Sequence, residues 1–110
     1  MAKYEANLNG DFDVILQAID IEVLNGISAT YEDGSDILVG DTRCAVRVYE
    51  RYSMTGGNRV SLNVTLVGNA DAVFLSAIAS GGSQAAFFKF NTFGEESFLN
   101  RLIDAVGQFA

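Results

Sequence analysis

At the N-terminus Tyr4, Ala6 and Leu8 alternate with Lys3, Glu5 and Asn7, the two-residue period of a strand with one buried side. After Gly10 the period changes. Phe12, Ile15, Leu16, Ile19 and Val23 recur at helical spacing, Asp11 stands where a carboxylate caps free N–H groups, and Asn25-Gly26 suits a left-handed closing turn. The polar side of this helix carries Asp13, Gln17, Asp20 and Glu22 and is therefore acidic. Alternation returns at Ile27, Ala29 and Tyr31; the run EDGSD (32–36) reads as a turn, and Ile37 to Val39 as a short strand. A hairpin follows, with arms Thr42–Ser53 and Asn58–Val67 around Met54-Thr55-Gly56-Gly57. Matching apolar to apolar sets Cys44, Val46 and Val48 beside Val60, Leu62, Val64 and Leu66 on the inner face. Glu50 then falls on that face, near the hairpin end. Gly68 to Asp71 turns the chain into Ala72–Ala79, apolar on both sides. Gln84 to Phe90 alternates again as a strand. Thr92 to Glu95 has capping-box spacing, and Phe98, Leu99, Leu102, Ile103, Val106 and Phe109 form the stripe of a closing helix.

The order is strand, helix, four to six strands, helix. This predicts one α+β domain over residues 1–110, an antiparallel meander with both helices on one sheet face and the other face at least partly open. The order also resembles TATA-binding-protein-like and helix-grip topologies.

If Cys44, Val46 and Val48 point inward, alternation sends Arg43, Arg47, Tyr49 and Arg51 to the open face. Arg59, Ser61, Asn63 and Thr65 join them from the next strand, and Phe74 and Ile78 from the one after. One reading is a solvated face whose arginines lie flat beside local acids. The sharper reading makes Arg43, Arg47, Tyr49, Arg51 and Arg59 an interface or anion-binding row, because arginine and aromatic residues are enriched at protein contacts. That row would serve homodimerisation or an acidic protein partner.

Ser80-Gly81-Gly82-Ser83 poses a second choice. A phosphate cradle needs backbone N–H groups converging at a helix N-terminus, usually with a lysine. A strand-like aromatic run follows here, so a turn or bulge between strands is favoured. The alternative is a small-ligand cleft in which Ser80, Gly81, Gly82 and Ser83 meet Phe74, Ile78, Phe87 and Phe88 and take an anionic or amphipathic molecule.

The chain carries 14 acidic and 7 basic residues, a net charge of −7, against general attraction to nucleic acid or an anionic membrane. No apolar run approaches a signal peptide or a membrane span, and the single cysteine, Cys44, excludes an intrachain disulfide. A cytoplasmic location is expected. With no histidine and one cysteine, zinc and Ser-His-Asp chemistry lack their ligands and base. Cys44 reads as a small hydrophobe rather than a reactive thiol. Glu32, Asp33, Asp36 and Asp41 lack the spacing of a calcium loop. Glu95 and Glu96 read as first-turn helix charges. No catalytic constellation, metal or cofactor is assigned, and an enzymatic role is disfavoured.

The segments RVYERYSMTGGNRVSLNVTLVG (47–68) and SGGSQAAFFKFNTFGEESFL (80–99) resemble a family of small bacterial proteins, domain of unknown function 6054. The resemblance runs nearly end to end. It implies a bacterial cytosolic protein and brings no catalytic residue with it.

Overall fold

The computed structural model describes residues 1–26, 28–52, 59–81 and 88–110, the side chains of residues 88–95 excepted. Strands β1 (Ala2–Asn9), β2 (Thr30–Val39), β3 (Thr42–Tyr52), β4 (Arg59–Asn69) and β5 (Ala72–Gly81) form one antiparallel sheet, and helices α1 (Phe12–Leu24) and α2 (Phe88–Val106) complete the α+β fold. The spatial order is β1-β5-β4-β3-β2, so β2 to β5 form a meander and β1 returns to pair with β5. The loop around Met54 to Gly57 lies outside the described residues.

Alternation in β1, β4 and β5 sets the core face. Leu8, Val60, Leu62, Val64, Leu66, Val73, Leu75, Ala77 and Ala79 are buried on one side. Against them pack Phe12, Ile15, Ile19 and Val23 of α1 and Phe98, Leu99, Leu102 and Val106 of α2. The Asp11 carboxylate accepts from the Val14 N–H at 3.1 Å and caps α1. The helix ends differently from the expected left-handed turn. Asn25 stays right-handed and donates its N–H to the Ile21 carbonyl, while positive φ falls on Ser28. Gly68 lets β4 pass under α1, for a Cβ there would stand 2.5 Å from a Phe12 ring carbon.

Two segments read as other structure are regular elements. EDGSD is no turn: β2 runs through it, and one register shift between Tyr31 and Asp33 absorbs the extra residue as a bulge. Its acids stay hydrated because β2 is an edge strand, exposed at nine of its ten residues. Alternation also separates Asp33 and Asp36 onto opposite faces, and the described residues hold no group of three or more potential metal ligands. Helix α2 starts at Phe88, so Phe88–Phe90 is helical, not strand, and Thr92 to Glu96 lies beyond its first turn. A short aromatic run does not by itself separate strand from helix.

The facing of β3 is the reverse of that expected. Arg43, Ala45, Arg47, Tyr49 and Arg51 register with Gly68, Leu66, Val64, Leu62 and Val60 and share the helix side of the sheet, where Ala45 and Tyr49 are buried. Cys44, Val46, Val48 and Glu50 lie on the open side. The cause is the reach of the helix layer. Helix α2 packs on β5, β1 and β4, and β3 lies at the margin of the cover. At such a margin long amphipathic side chains fit, their stems against the core and their heads among the helix carboxylates.

Candidate functional site

On the helix side, each β3 arginine has a defined environment. Arg43 donates to both carboxylate oxygens of Asp13, at 2.9 and 3.0 Å, while its guanidinium lies 4.3 Å from the Phe12 ring centre. This bidentate bond holds the Asp13 carboxyl below its usual range and raises the Arg43 pKa. Arg47, its side chain only 16% exposed, donates to both Asp36 oxygens at 3.1 and 3.2 Å and to the Ser35 and Val46 carbonyls. Its stem lies across Gly34, where a Cβ would stand 3.0 Å from Arg47 Cδ and 2.5 Å from the Tyr31 hydroxyl. Arg51 sits 4.8 Å from the Phe98 ring centre. Burial, reinforced by nearby Arg101, lowers its pKa.

Tyr49 is wholly buried, edge-on to Tyr31 at 6.1 Å, and its hydroxyl donates to Asp20 of α1 at 3.1 Å. Burial pushes its phenol well above the usual range, and the Asp20 charge adds to the shift. Between α1 and the β2–β3 edge runs a groove of about 350 Å³ lined by Leu16, Leu24, Tyr31 and Arg47, with Asp13, Gln17 and Asp20 along it.

Of the expected row, Arg59 alone is on the helix-free face, where it is ion-paired with Glu50 and lies 5.3 Å from the Tyr52 ring centre. Glu50 also accepts from the Ser61 hydroxyl at 3.2 Å, so its carboxylate is partnered beside the hairpin end. Phe74 and Ile78 do share this face, 38% and 36% exposed. Ser80 and Gly81 are the half-buried end of β5, and Gly82, Ser83 and Phe87 lie outside the described residues, as does the Phe88 side chain.

Register brings together an apolar row that sequence reading missed. Phe74 pairs with Val67, Val67 with Cys44, and Cys44 with Ile37, which is 52% exposed. Val46 and Val48 extend the row along β3, while Ile78 shares the face but is set apart from the row by Ser76 and Asn63. Val67, Cys44, Val46 and Val48 are only half-buried, and among the described residues no helix covers this side. Cys44 is therefore part of an accessible surface and not of the core. At the end of the row, Phe74 and Val67 border a concavity of about 370 Å³ with Asn7, Asn9 and Asn69 around it.

The fold and surface define a class: a small α+β protein whose sheet, among the described residues, is covered by helices on one side and on the other carries an apolar row among polar positions. The chain belongs to the Family of unknown function (DUF6054), whose model matches residues 1–110. No curated protein and no solved structure matches it. None of the helices is long and apolar enough to cross a membrane, among the described residues.

Proposed function

We propose that this is a non-enzymatic, cytosolic protein that works by docking, the helix-free face of its sheet packing on the same face of a second copy. The observation carrying this reading is the uncovered row Phe74, Val67, Cys44 and Ile37. Contiguous apolar surface of this kind marks interaction sites, whereas single exposed apolar residues do not.

Size and charge favour a second copy. Five strands about 4.8 Å apart and about ten residues long at roughly 3.3 Å each present roughly 800 Å², the area each partner gives to a standard interface. The whole chain carries −7, so two copies repel over most of their surface. The open face is nearly balanced at its paired positions, with Lys3 and Arg59 against Glu5, Asp33 and Glu50. Repulsion is therefore weakest where the apolar row lies. Face-to-face sheets about 10 Å apart would interdigitate such β-branched and aromatic side chains.

The test is light scattering over a range of concentrations on the native chain and Phe74→Glu. The native protein should weigh twice 11.8 kDa, and the variant, which places a charge in the row, should be monomeric with an unchanged circular dichroism spectrum. A monomeric native protein, or a variant that still dimerises, refutes the reading.

A further inference from the structure

The second unusual surface is the β2 edge with the groove beside it. Among the described residues β2 pairs with β3 alone, which leaves its outer backbone N–H and C=O groups without a strand partner there, and Ile37, Leu38 and Val39 are 52%, 67% and 70% exposed. Such an edge is a template for another extended chain. The bulge at Glu32 interrupts the ladder near one end, so the regular part of the template is Ser35–Val39.

Charge decides what kind of chain fits. Asp13 and Asp20 stand over the groove, and Glu32, Asp33, Asp36 and Asp41 lie along or just beyond β2. The two cations beside them are committed, Arg43 to Asp13 and Arg47 to Asp36. The net field is negative over apolar ground formed by Leu16, Leu24, Tyr31 and Leu38. A second β2 strand is a poor occupant, because it would bring its own three carboxylates, Glu32, Asp33 and Asp36, to this edge.

We propose that β2 and the α1 groove dock an extended basic and apolar segment of another protein, added as a sixth strand. Side chains on one side of that strand enter the groove beneath α1, where a Lys or Arg reaches Asp20 while its stem lies on Leu16 and Tyr31. Those on the other side lie beside Ile37. This site meets the open-face row only at Ile37, and the Phe74→Glu variant, altered three strands away on β5, retains it.

The probe is a fluorescein-labelled heptapeptide of alternating Lys and Val, titrated into the full chain and followed by anisotropy and amide hydrogen exchange. Two control peptides accompany it: one alternating Glu and Val, and one with the charge of the probe but with prolines that forbid strand pairing. The Lys-Val peptide should bind and protect amides within Ser35–Val39, while both controls bind at least about tenfold more weakly. Leu38→Lys, at a solvent-exposed position, should weaken binding by a similar factor. Equal binding of the proline peptide would show charge adsorption only and overturn the proposal. Absence of binding, or protection confined to other strands, would overturn it as well.

Discussion

Tyr49→Phe deletes one oxygen from the point where α1, β2 and β3 meet. The phenol is fully buried, and its hydroxyl donates to Asp20 at 3.1 Å. The ring stays in the variant, so the edge-on contact with Tyr31 and the core packing persist, and the loss is that of the hydrogen bond. A bond to a charged acceptor is worth about 1.5–3 kcal/mol; Asp20 is only half-buried and keeps some water, so the low end, about 1.5 kcal/mol, applies. For a domain of this size that corresponds to a fall in Tm of about 6 °C. Tyr49→Ala adds a cavity and should cost about 3–5 kcal/mol. Urea unfolding followed by circular dichroism measures both, with an unchanged m value showing that the folded and unfolded states are as before. A double-mutant cycle with Asp20→Ala isolates the pair, with a coupling of about 1 kcal/mol expected. Had Tyr49 faced the open side, as alternation from Cys44 implied, both substitutions would fall within about 0.5 kcal/mol of the native chain. That result would refute the facing of β3 and the account of the groove with it.

Three further outcomes follow from the same geometry. In a spectrophotometric alkaline titration, one tyrosine should resist ionisation until the protein unfolds, and Tyr49→Phe should remove that late step. The folded pKa of Tyr49 lies above the unfolded value, so this stabilising contribution is intact below pH ~10 and is lost as pH rises further. Asp13 has the opposite sign. Its folded pKa is depressed by Arg43, so its contribution is present above pH ~4 and disappears as pH falls; the Tm values of native protein and Asp13→Asn should converge in acid. Gly68→Ala places a methyl 2.5 Å from the Phe12 ring and should destabilise by about 1–3 kcal/mol in urea unfolding, with an unchanged result refuting the close approach of α1 to β4.

Much of the fold is local and was legible. The alternation of Tyr4, Ala6 and Leu8, the helical spacing from Phe12 to Val23 with its Asp11 cap, and the closing stripe at Phe98, Leu102 and Val106 each correspond to an observed element. Val60 to Leu66 faced inward as read, and Phe74 and Ile78 faced outward. β3 was ambiguous because both of its alternating sets are plausible. Cys44, Val46 and Val48 form the more apolar set by residue count, but Ala45 and Tyr49 form the set the core uses. The choice depends on where the helix layer ends, a tertiary fact that alternation does not encode. One usable signal was Tyr49 itself, an aromatic within the strand where Tyr52 of the opposite set stands at its end, with Asp20 on the facing helix.

The same inversion hid the candidate surface. Once β3 turns over, its arginines leave the open face and its β-branched residues arrive there, so the expected charged row is replaced by an apolar one. β2 was obscured differently. EDGSD has the composition of a turn, yet a bulged edge strand tolerates it because the acids face water and Gly34 makes room for Tyr31 and Arg47.

The central claim is that two copies meet through the open face, and the lone cysteine reports on it without any mutation. Cys44 lies in the middle of the apolar row, half-buried in the single chain. Its alkylation rate, followed by mass spectrometry as the protein is diluted, should be slow at high concentration and rise in step with the dissociation seen by light scattering. A rate that stays constant while the mass halves would place the contact elsewhere and contradict the account.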